Sequence, residues 1–185
     1  MDDRDTSLSL ESDIESAGIL APPPAPLRVI AADADLWMRL FYQELLPRMG
    51  HEVTVVESGL HLVKLCSALQ PDLVLTDLNL TELDGLDAAE QISRECLAPI
   101  VLVCNQATPA LLARAAQAEC VLGCLHKPIT ERELAPAIAV AVGRFRHLLE
   151  LRRSADERAE EIAHLRRTLV QREALGAGPI GLAVY

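Results

Sequence analysis

The sequence predicts an α/β protein built on a doubly wound parallel sheet, and three observations support this prediction. Short apolar or β-rich runs recur between residues 27 and 125, and continuous apolar runs are typical of strands covered on both faces. Segments with helical spacing separate these runs, which is the alternation expected for a parallel sheet between two helical layers. Charged residues follow the first, third and fifth runs, at the strand ends where open α/β sheets place their chemistry.

The individual elements follow from the spacing of apolar residues. Strands are predicted at residues 27–32, 51–57, 72–76, 99–103 and 121–125. The first helix has apolar side chains at i, i+3, i+4 and i+8, the second at i, i+3, i+4 and i+7, and a third group continues the pattern. These side chains are Trp37, Leu40, Phe41 and Leu45, then Leu62, Leu65, Cys66 and Leu69, and finally Leu111, Ala115 and Ala118. Five such units fit the flavodoxin-like (βα)5 fold with strand order 2-1-3-4-5.

A long C-terminal helix is predicted to follow the fifth strand. Thr130 and Glu133 form a capping-box pattern at its start, and the helix is expected to continue to about residue 175. Over residues 144–175 its apolar residues recur in alternating steps of three and four, interrupted by Arg158 and Arg172. The apolar positions are Leu148, Leu151, Ala155, Ile162, Leu165 and Leu169. Such a seam predicts a coiled coil and a homodimer; the alternative is a single solvated helix.

Composition bounds the remaining possibilities. Half of the residues are apolar and the net charge is −10, which argues against binding of nucleic acid or anionic membranes by the whole surface. No signal peptide is visible, and the most apolar stretch, residues 134–142, is too short to span a bilayer. A cytoplasmic protein without membrane contact is therefore predicted. Residues 1–26 are acidic and Pro-rich and are predicted to be disordered, and residues 176–185 are predicted to be a flexible tail.

Three strand ends bring charged residues to one crevice of the predicted sheet. Asp33 follows the first strand with Asp35 two residues on, Asp77 follows the third, and Lys127 follows the fifth. Clustered carboxylates require a neutralising cation, and Mg²⁺ prefers oxygen ligands. Asp33 and Asp77 are therefore predicted metal ligands, together with the backbone carbonyl of Asn79 and with Asp35 as a further candidate. Lys127 is expected to pair with Asp77 or with a phosphate on it.

The residues in this crevice resemble the phosphorylation motif of response-regulator receiver domains, and the resemblance extends from residue 27 to residue 148. It rests on Asp33, on Asp77-Leu-Asn79, on Asp84-Gly85 and on Lys127-Pro128, each at the matching strand end or turn. The resemblance implies a receiver domain at residues 27–143. It also implies that Asp77 accepts a phosphoryl group from a histidine kinase, that Mg²⁺ is required, and that Lys127 contacts the phosphoryl group.

The sequence departs from the receiver pattern at four positions. Ala34 stands where receivers carry a second acid that ligates Mg²⁺, and Cys104 stands where a Thr or Ser contacts the phosphoryl oxygen. Cys124 replaces the aromatic residue of the fifth strand, and Thr81 replaces a proline after the acceptor. A thiol is a weak hydrogen-bond donor, so Cys104 is predicted to contact phosphate only weakly. The Mg²⁺ site is predicted to be weakened as well.

The order of receiver and long helix resembles receiver–coiled-coil–ANTAR regulators, which are RNA-binding transcription antiterminators. Residues 144–173 contain eight arginines and six acids and are the locally basic part of an acidic chain. The resemblance implies a small RNA-binding helical bundle after the coiled coil. Because the sequence stops where this bundle would begin, residues 176–185 are expected to be its truncated or vestigial start.

Taken together, these patterns predict a non-enzymatic response regulator in phosphorelay signal transduction, in which phosphorylation of Asp77 alters dimer or partner contacts. No Gly-x-Gly-x-x-Gly motif follows the first strand, so a dinucleotide site is not predicted there, and no Walker loop is present. Two alternatives stay open at this point. One is a pseudo-receiver that binds a sensor protein without phosphorylation, and the other is an antiterminator that binds RNA.

Overall fold

The structure is a computed structural model that describes residues 26–95 and 98–176, and these residues form an alternating series of strands and helices. The strands are β1 (Arg28–Ala32), β2 (Glu52–Val56), β3 (Leu73–Asp77), β4 (Ile100–Cys104) and β5 (Val121–His126). The helices are α1 (Leu36–Arg48), α2 (Gly59–Leu69), α3 (Gly85–Glu95), α4 (Pro109–Ala115) and α5 (Glu131–Gly176).

The strands form one parallel sheet in the order β2-β1-β3-β4-β5. This order confirms the predicted flavodoxin-like (βα)5 topology. The chain order reverses beside β1 and β3, and the carboxyl ends of these two strands therefore open onto the crevice where such sheets bind ligands. Every predicted strand is present, although β3 and β4 each begin and end one residue later than predicted, so that Asp77 and Cys104 are their last residues.

The core lies on both faces of the sheet, and β3 and β4 are buried along their whole length. On one face α1 and α5 pack through Tyr42, Leu46, Leu134 and Ile138. On the other face α2, α3 and α4 contribute Leu62, Cys66, Leu86, Ile92 and Ala115. Complete burial of a Leu or Ile side chain stabilises a fold by about 1.5–3 kcal/mol. The two layers therefore hold the strand ends in a fixed arrangement.

Most helices begin at a side chain that satisfies their free N–H groups. Asp35, Ser58 and Thr108 accept hydrogen bonds from backbone N–H groups in the first turns of α1, α2 and α4. At α5, the Glu133 carboxylate accepts bonds from both the backbone N–H and the hydroxyl of Thr130. Half of the predicted capping box is thus formed, because Glu133 reaches back to Thr130 as expected.

Helix α5 runs without interruption for 46 residues, through Pro136, which corresponds to about 69 Å. Its first turns pack on β5 and β4, whereas the large apolar side chains farther along it are exposed. These side chains are Leu149, Leu151, Ile162, Leu165, Leu169 and Val170. The predicted long C-terminal helix is confirmed, and it carries an apolar surface beyond the sheet.

Some sequence predictions concern residues that lie outside the described ranges. The predicted disordered tail at residues 1–26 falls there except for Pro26, and the predicted tail at residues 176–185 falls there except for Gly176. Within residues 26–95 and 98–176, no helix combines the length and apolarity that crossing a membrane would require.

Candidate functional site

The site lies at the carboxyl ends of β1 and β3, where two aspartates are buried. Asp33 directly follows β1 and is fully buried, and Asp77 is the last residue of β3 with 5% of its surface exposed. One oxygen of each carboxylate is held by the backbone. Oδ1 of Asp33 accepts a 3.0 Å bond from the N–H of Asp35, and Oδ1 of Asp77 accepts a 2.8 Å bond from the N–H of Leu78. The Oδ2 atoms of Asp33 and Asp77 face the crevice.

Lys127 joins the two aspartates. Its Nζ lies 2.7 Å from Oδ2 of Asp33 and 2.9 Å from Oδ2 of Asp77, and only 13% of its side chain is exposed. The backbone positions it as well, because the N–H of Lys127 donates a 2.9 Å bond to the carbonyl of Cys104 at the end of β4. The peptide bond between Lys127 and Pro128 is cis. The structure therefore brings Asp33, Asp77 and Lys127 together as predicted from the sequence.

The charges of this cluster shift two pKa values. Burial raises the pKa of the Asp33 carboxyl, and hydrogen bonds from Lys127 and from the Asp35 N–H offset this only in part. Burial alone would lower the pKa of the Lys127 ammonium, but the hydrogen bonds to Asp33 and Asp77 and the negative charges of these two residues together outweigh burial and raise that pKa. Lys127 is therefore a cation at neutral pH. When both carboxyls are ionised, one negative charge remains to attract a second cation.

The loop after Asp77 folds back tightly against β3. The N–H of Gly85 donates a 2.8 Å bond to the carbonyl of Leu78, and a Cβ at position 85 would lie 1.8 Å from the backbone oxygen of Asp77. Only glycine fits this close approach. Asp84 begins α3 by accepting a 2.8 Å bond from the N–H of Leu86. The Asp84-Gly85 pair therefore shapes the loop that carries Asn79, which is exposed two residues beyond Asp77.

A second loop anchors this turn from the side. The Thr81 hydroxyl donates a 3.2 Å bond to the carbonyl of Glu57, and Thr81 also forms a bridge with Ser58 at the start of α2. Thr81 is the residue that replaces the proline of the receiver pattern. It attaches the β3–α3 loop to the β2–α2 loop in part through its hydroxyl, a donor that proline lacks.

Two further residues near the site were not predicted from the sequence. Arg39 in α1 donates bonds of 2.7 and 2.9 Å to the carbonyls of Asp33 and Ala34 and lies 3.5 Å from Glu57. It therefore holds the β1–α1 loop in place. Tyr42, one turn further along α1, is fully buried. Burial raises the pKa of its hydroxyl well above the usual range, and the negative charges of Asp33 and Asp77 raise it further.

The remaining predicted site residues have other surroundings. Asp35 begins α1, and its Oδ1 accepts a 2.9 Å bond from the N–H of Trp37. Ala34 is exposed and carries no ligand atom. Cys104 is buried at the end of β4, and its Sγ lies 3.6 Å from Sγ of Cys124. Whether Cys104 contacts a phosphoryl group and Asp35 a metal ion remains a prediction.

A comparison with known protein families identifies this arrangement. The family model of the response regulator receiver domain matches residues 29–139. The chain belongs to the response-regulator receiver family. The receiver domain that the aspartates and the lysine at the strand ends predicted is thus confirmed as a domain of this chain.

Individual relatives support the assignment to the receiver family. The transcriptional regulatory protein PdtaR of Mycobacterium tuberculosis strain H37Rv is 34% identical over 132 residues, which cover 71% of this chain and 64% of PdtaR. The chain thus spans less than two thirds of the length of PdtaR. The chemotaxis protein CheY of Listeria monocytogenes is 30% identical over 80 residues, covering 43% of this chain and 67% of CheY. The ANTAR-like arrangement predicted from the sequence is consistent with the similarity to PdtaR.

Solved structures agree with the fold of this receiver. The receiver domain of the NarL regulator from Mycobacterium tuberculosis superposes with a TM-score of 0.59 at 25% identity, covering 65% of this chain and 98% of that domain. The receiver domain of a modulated diguanylate cyclase from Desulfovibrio desulfuricans G20 superposes with a TM-score of 0.60 at 24% identity, covering 65% of this chain and 97% of that domain.

Proposed function

We propose that Asp77 is the phosphoacceptor of this receiver and that a histidine kinase is its phosphodonor. The observation that carries the proposal is the contact of Lys127 with the Oδ2 atoms of both Asp33 and Asp77. Because Oδ1 of Asp77 is held by the N–H of Leu78, Oδ2 is the oxygen that attacks phosphorus. The new bond joins Oδ2 to phosphorus as the bond between phosphorus and the donor histidine nitrogen breaks.

Lys127 stabilises the product of this transfer. The phosphoryl group carries up to two negative charges, but the carboxylate charge of Asp77 is used up in the new bond, so the site gains about one negative charge and three acceptor oxygens. The ammonium of Lys127 is a charged donor beside them. Lys127 would exchange its bond to Oδ2 of Asp77 for one to a phosphoryl oxygen while keeping its contact with Asp33. This exchange would pull on the carbonyl of Cys104 through the backbone bond of Lys127. The ends of β4 and β5 would therefore respond to phosphorylation.

The oxygen donors at the site fit Mg²⁺. Asp33, Asp77 and the backbone carbonyl of Asn79 would hold the ion, with Asp35 as a further candidate, and waters would complete its coordination. When bound, the ion would neutralise charge on the transferring phosphoryl group. Lys127 already contacts the same carboxylates, and Ala34 offers no ligand. We therefore propose a weakened Mg²⁺ site in which Lys127 competes with the metal for the carboxylate oxygens.

The phosphoacceptor is tested by incubating the full chain with acetyl phosphate and Mg²⁺ and measuring intact mass. We expect an increase of one phosphoryl group in the wild type, no increase in Asp77→Asn, and an unchanged increase in Asp156→Asn, whose carboxylate lies on the exposed part of α5. Equal incorporation into wild type and Asp77→Asn would sink the assignment. Repeating the reaction with Asp35→Asn, which keeps the helix cap, tests whether Asp35 is a ligand.

A partner surface adjoins the site. Leu36, Trp37 and Leu40 at the start of α1 are exposed, Trp37 to 77%, although large apolar side chains are normally covered. These side chains begin α1, three residues after Asp33 of the site, so we propose that the histidine kinase covers them while it transfers the phosphoryl group. Trp37→Ala is expected to slow transfer from the kinase while leaving transfer from acetyl phosphate unchanged. Equal slowing of both reactions would contradict this surface.

An alternative function uses the same surface without phosphoryl transfer. The replacement of an acid by Ala34 and of a hydroxyl by Cys104 favours a pseudo-receiver that binds a sensor protein. Asp77→Ala would then leave the partner complex intact, whereas loss of that complex in a folded Asp77→Ala variant would remove this alternative. The sensor protein in this test is a partner related to the histidine kinases that the wild-type protein binds.

We further propose a homodimer through α5, with the receiver unit at residues 27–143 and the coiled coil at residues 144–175. The exposed residues Leu151, Ile162, Leu165 and Leu169 share one heptad seam, whereas Val170 is exposed but off the seam. Light scattering after size-exclusion chromatography should show a dimer for wild type and for Val170→Glu, and a monomer for Ile162→Glu combined with Leu165→Glu. A monomeric wild type at micromolar concentration would exclude the dimer.

The similarity to PdtaR, a transcriptional regulatory protein, supports a regulatory output for this chain, and we place that output in the cytoplasm. RNA binding in transcription antitermination is the third candidate function. The feature that favours RNA binding is the locally basic stretch at residues 144–173. Such binding should weaken steeply with salt. Titration of structured RNA at low salt tests it, and absence of binding there excludes it. In each of these roles the protein acts by contact and not as an enzyme.

A further inference from the structure

Two thiols meet between the last two strands of the sheet. Cys104 ends β4 and lies opposite His126, while Cys124 of β5 lies opposite Leu102, so the two cysteines are diagonal neighbours on one face. Their Sγ atoms are 3.6 Å apart. Cys104 is buried and Cys124 is exposed. The pair therefore places an exposed cysteine, Cys124, beside a buried one, Cys104.

This pair differs from the other described cysteines. Cys66 is fully buried in the core beneath α2, and Cys120 is buried with its sulfur 3.9 Å from the carbonyl of Ser93. Neither is exposed in the way that Cys124 is. The pair also lies next to the phosphorylation site, because the carbonyl of Cys104 accepts the backbone N–H of Lys127.

We propose that Cys104 and Cys124 form an oxidation site at which a peroxide converts the two thiols into an intramolecular disulfide across β4 and β5. The exposed thiolate of Cys124 attacks one peroxide oxygen, the O–O bond breaks, and a sulfenic acid and hydroxide form. The sulfur of Cys104 then attacks the sulfenic sulfur and releases hydroxide, which takes the Cys104 proton and leaves as water. The hydroxide of the first step takes up the proton that Cys124 lost on ionising. The two sulfurs together lose two electrons, and the peroxide is thereby reduced to two waters.

Closing the bond requires a small movement. A disulfide bond is about 2.05 Å long, so the sulfurs have to approach by about 1.5 Å. Because Cys104 and Cys124 are diagonal and not directly opposite, this approach draws the end of β4 along β5. Lys127 follows β5 by one residue and is bonded to Cys104, so the movement reaches the ammonium that contacts Asp33 and Asp77.

Reaction conditions follow from the chemistry of the exposed thiol. Desolvation, together with the contact with Cys104, raises the pKa of the Cys124 thiol to about 11. Because the thiolate is the nucleophile, oxidation is slow at neutral pH and faster in mildly alkaline buffer. Burial raises the pKa of the Cys66 thiol to about 12, and Cys66 has no exposed surface, so Cys66→Ser is a matched control.

The full chain is reduced, freed of reductant and treated with hydrogen peroxide at about pH 9. Free thiols are then alkylated, and intact mass and peptide maps are recorded. We expect wild type and Cys66→Ser to lose two hydrogens and to yield a peptide that links Cys104 to Cys124. Cys104→Ser and Cys124→Ser should not form this link. Dithiothreitol should restore two alkylatable thiols.

Several outcomes would overturn the proposal. These are a link between other cysteines, a disulfide between two chains on a non-reducing gel, and sulfinic acid at Cys124 in place of the disulfide. Circular dichroism confirms that each variant is folded, and Cys104→Ala replaces Cys104→Ser if the serine variant unfolds. The peptide map of the wild type decides in any case. Phosphorylation of Asp77 is not needed for this result, so failure of the proposed phosphoacceptor role leaves the test valid.

Discussion

The ammonium of Lys127 lies 2.7 Å from Oδ2 of Asp33, a residue 94 positions earlier in the chain. Asp33 is fully buried and only 13% of the Lys127 side chain is exposed, and the same ammonium contacts Asp77. Two carboxylates thus lie beside one cation at the edge of the sheet. Removing one partner of a buried ion pair is costly, because the remaining charge has no compensation.

Replacing Lys127 should therefore destabilise the domain. Lys127→Met keeps the aliphatic stem but leaves Asp33 and Asp77 facing each other, and we expect a loss of about 3 kcal/mol in the free energy of unfolding. Lys64→Met is the matched control, because Lys64 is exposed on α2 and should change stability by less than about 0.5 kcal/mol. Urea denaturation followed by circular dichroism measures both. Equal stability of the two variants would show that the contacts of Lys127 contribute little.

The fold and the central site residues could be predicted because both depend on local patterns. Apolar runs predicted the strands, and parallel strands bring Asp33, Asp77 and Lys127 to one edge whatever the helices do in detail. Helix α3 was not predicted from named apolar positions, because its buried face combines only two large side chains, Leu86 and Ile92, with the small residues Ala88 and Ala89. The role of Arg39 and the contact between Cys104 and Cys124 depend on neighbours that only the folded chain brings close.

Restoring an acid at position 34 should strengthen the proposed Mg²⁺ site. Ala34 is exposed beside Asp33, so Ala34→Asp adds a carboxylate without disturbing the core, and we expect Mg²⁺ affinity to rise on the order of tenfold. Trp37 is the single tryptophan of the chain, and its backbone N–H donates a hydrogen bond to Asp35, so its fluorescence is expected to report binding nearby. Ala34→Asn is the neutral control. If Ala34→Asp binds Mg²⁺ no better than Ala34→Asn, the missing acid does not limit the site.

Removing the hydroxyl of Tyr42 should stabilise the protein. Within the described parts of the chain no hydrogen-bond partner of this buried hydroxyl is found, and an unsatisfied buried polar group costs about 1–3 kcal/mol. Tyr42→Phe keeps the ring in the core and should raise the free energy of unfolding by about 1 kcal/mol. Tyr42→Leu, which also removes ring volume, should lower it. A lower stability of Tyr42→Phe in urea denaturation would indicate that the hydroxyl makes a stabilising bond.

The stability of the domain should depend on the protonation of His51. This side chain is buried, and its Nδ1 accepts a 3.4 Å bond from the N–H of Leu27. Burial lowers the pKa of His51 from 6.5, so the unfolded state binds the proton more readily than the folded state. The contribution of neutral His51 is fully present above about pH 6.5 and is lost as the pH falls through the lowered folded pKa.

The variant His51→Asn isolates this effect, because Asn places an acceptor oxygen near the position of Nδ1 but does not titrate in this range. Glu131 and Arg146 line the same cavity as His51 and are unchanged in the variant. We expect the unfolding free energy of wild type to fall relative to that of His51→Asn between about pH 7 and pH 5. Parallel pH profiles for the two proteins would mean that His51 titrates equally in the folded and unfolded states.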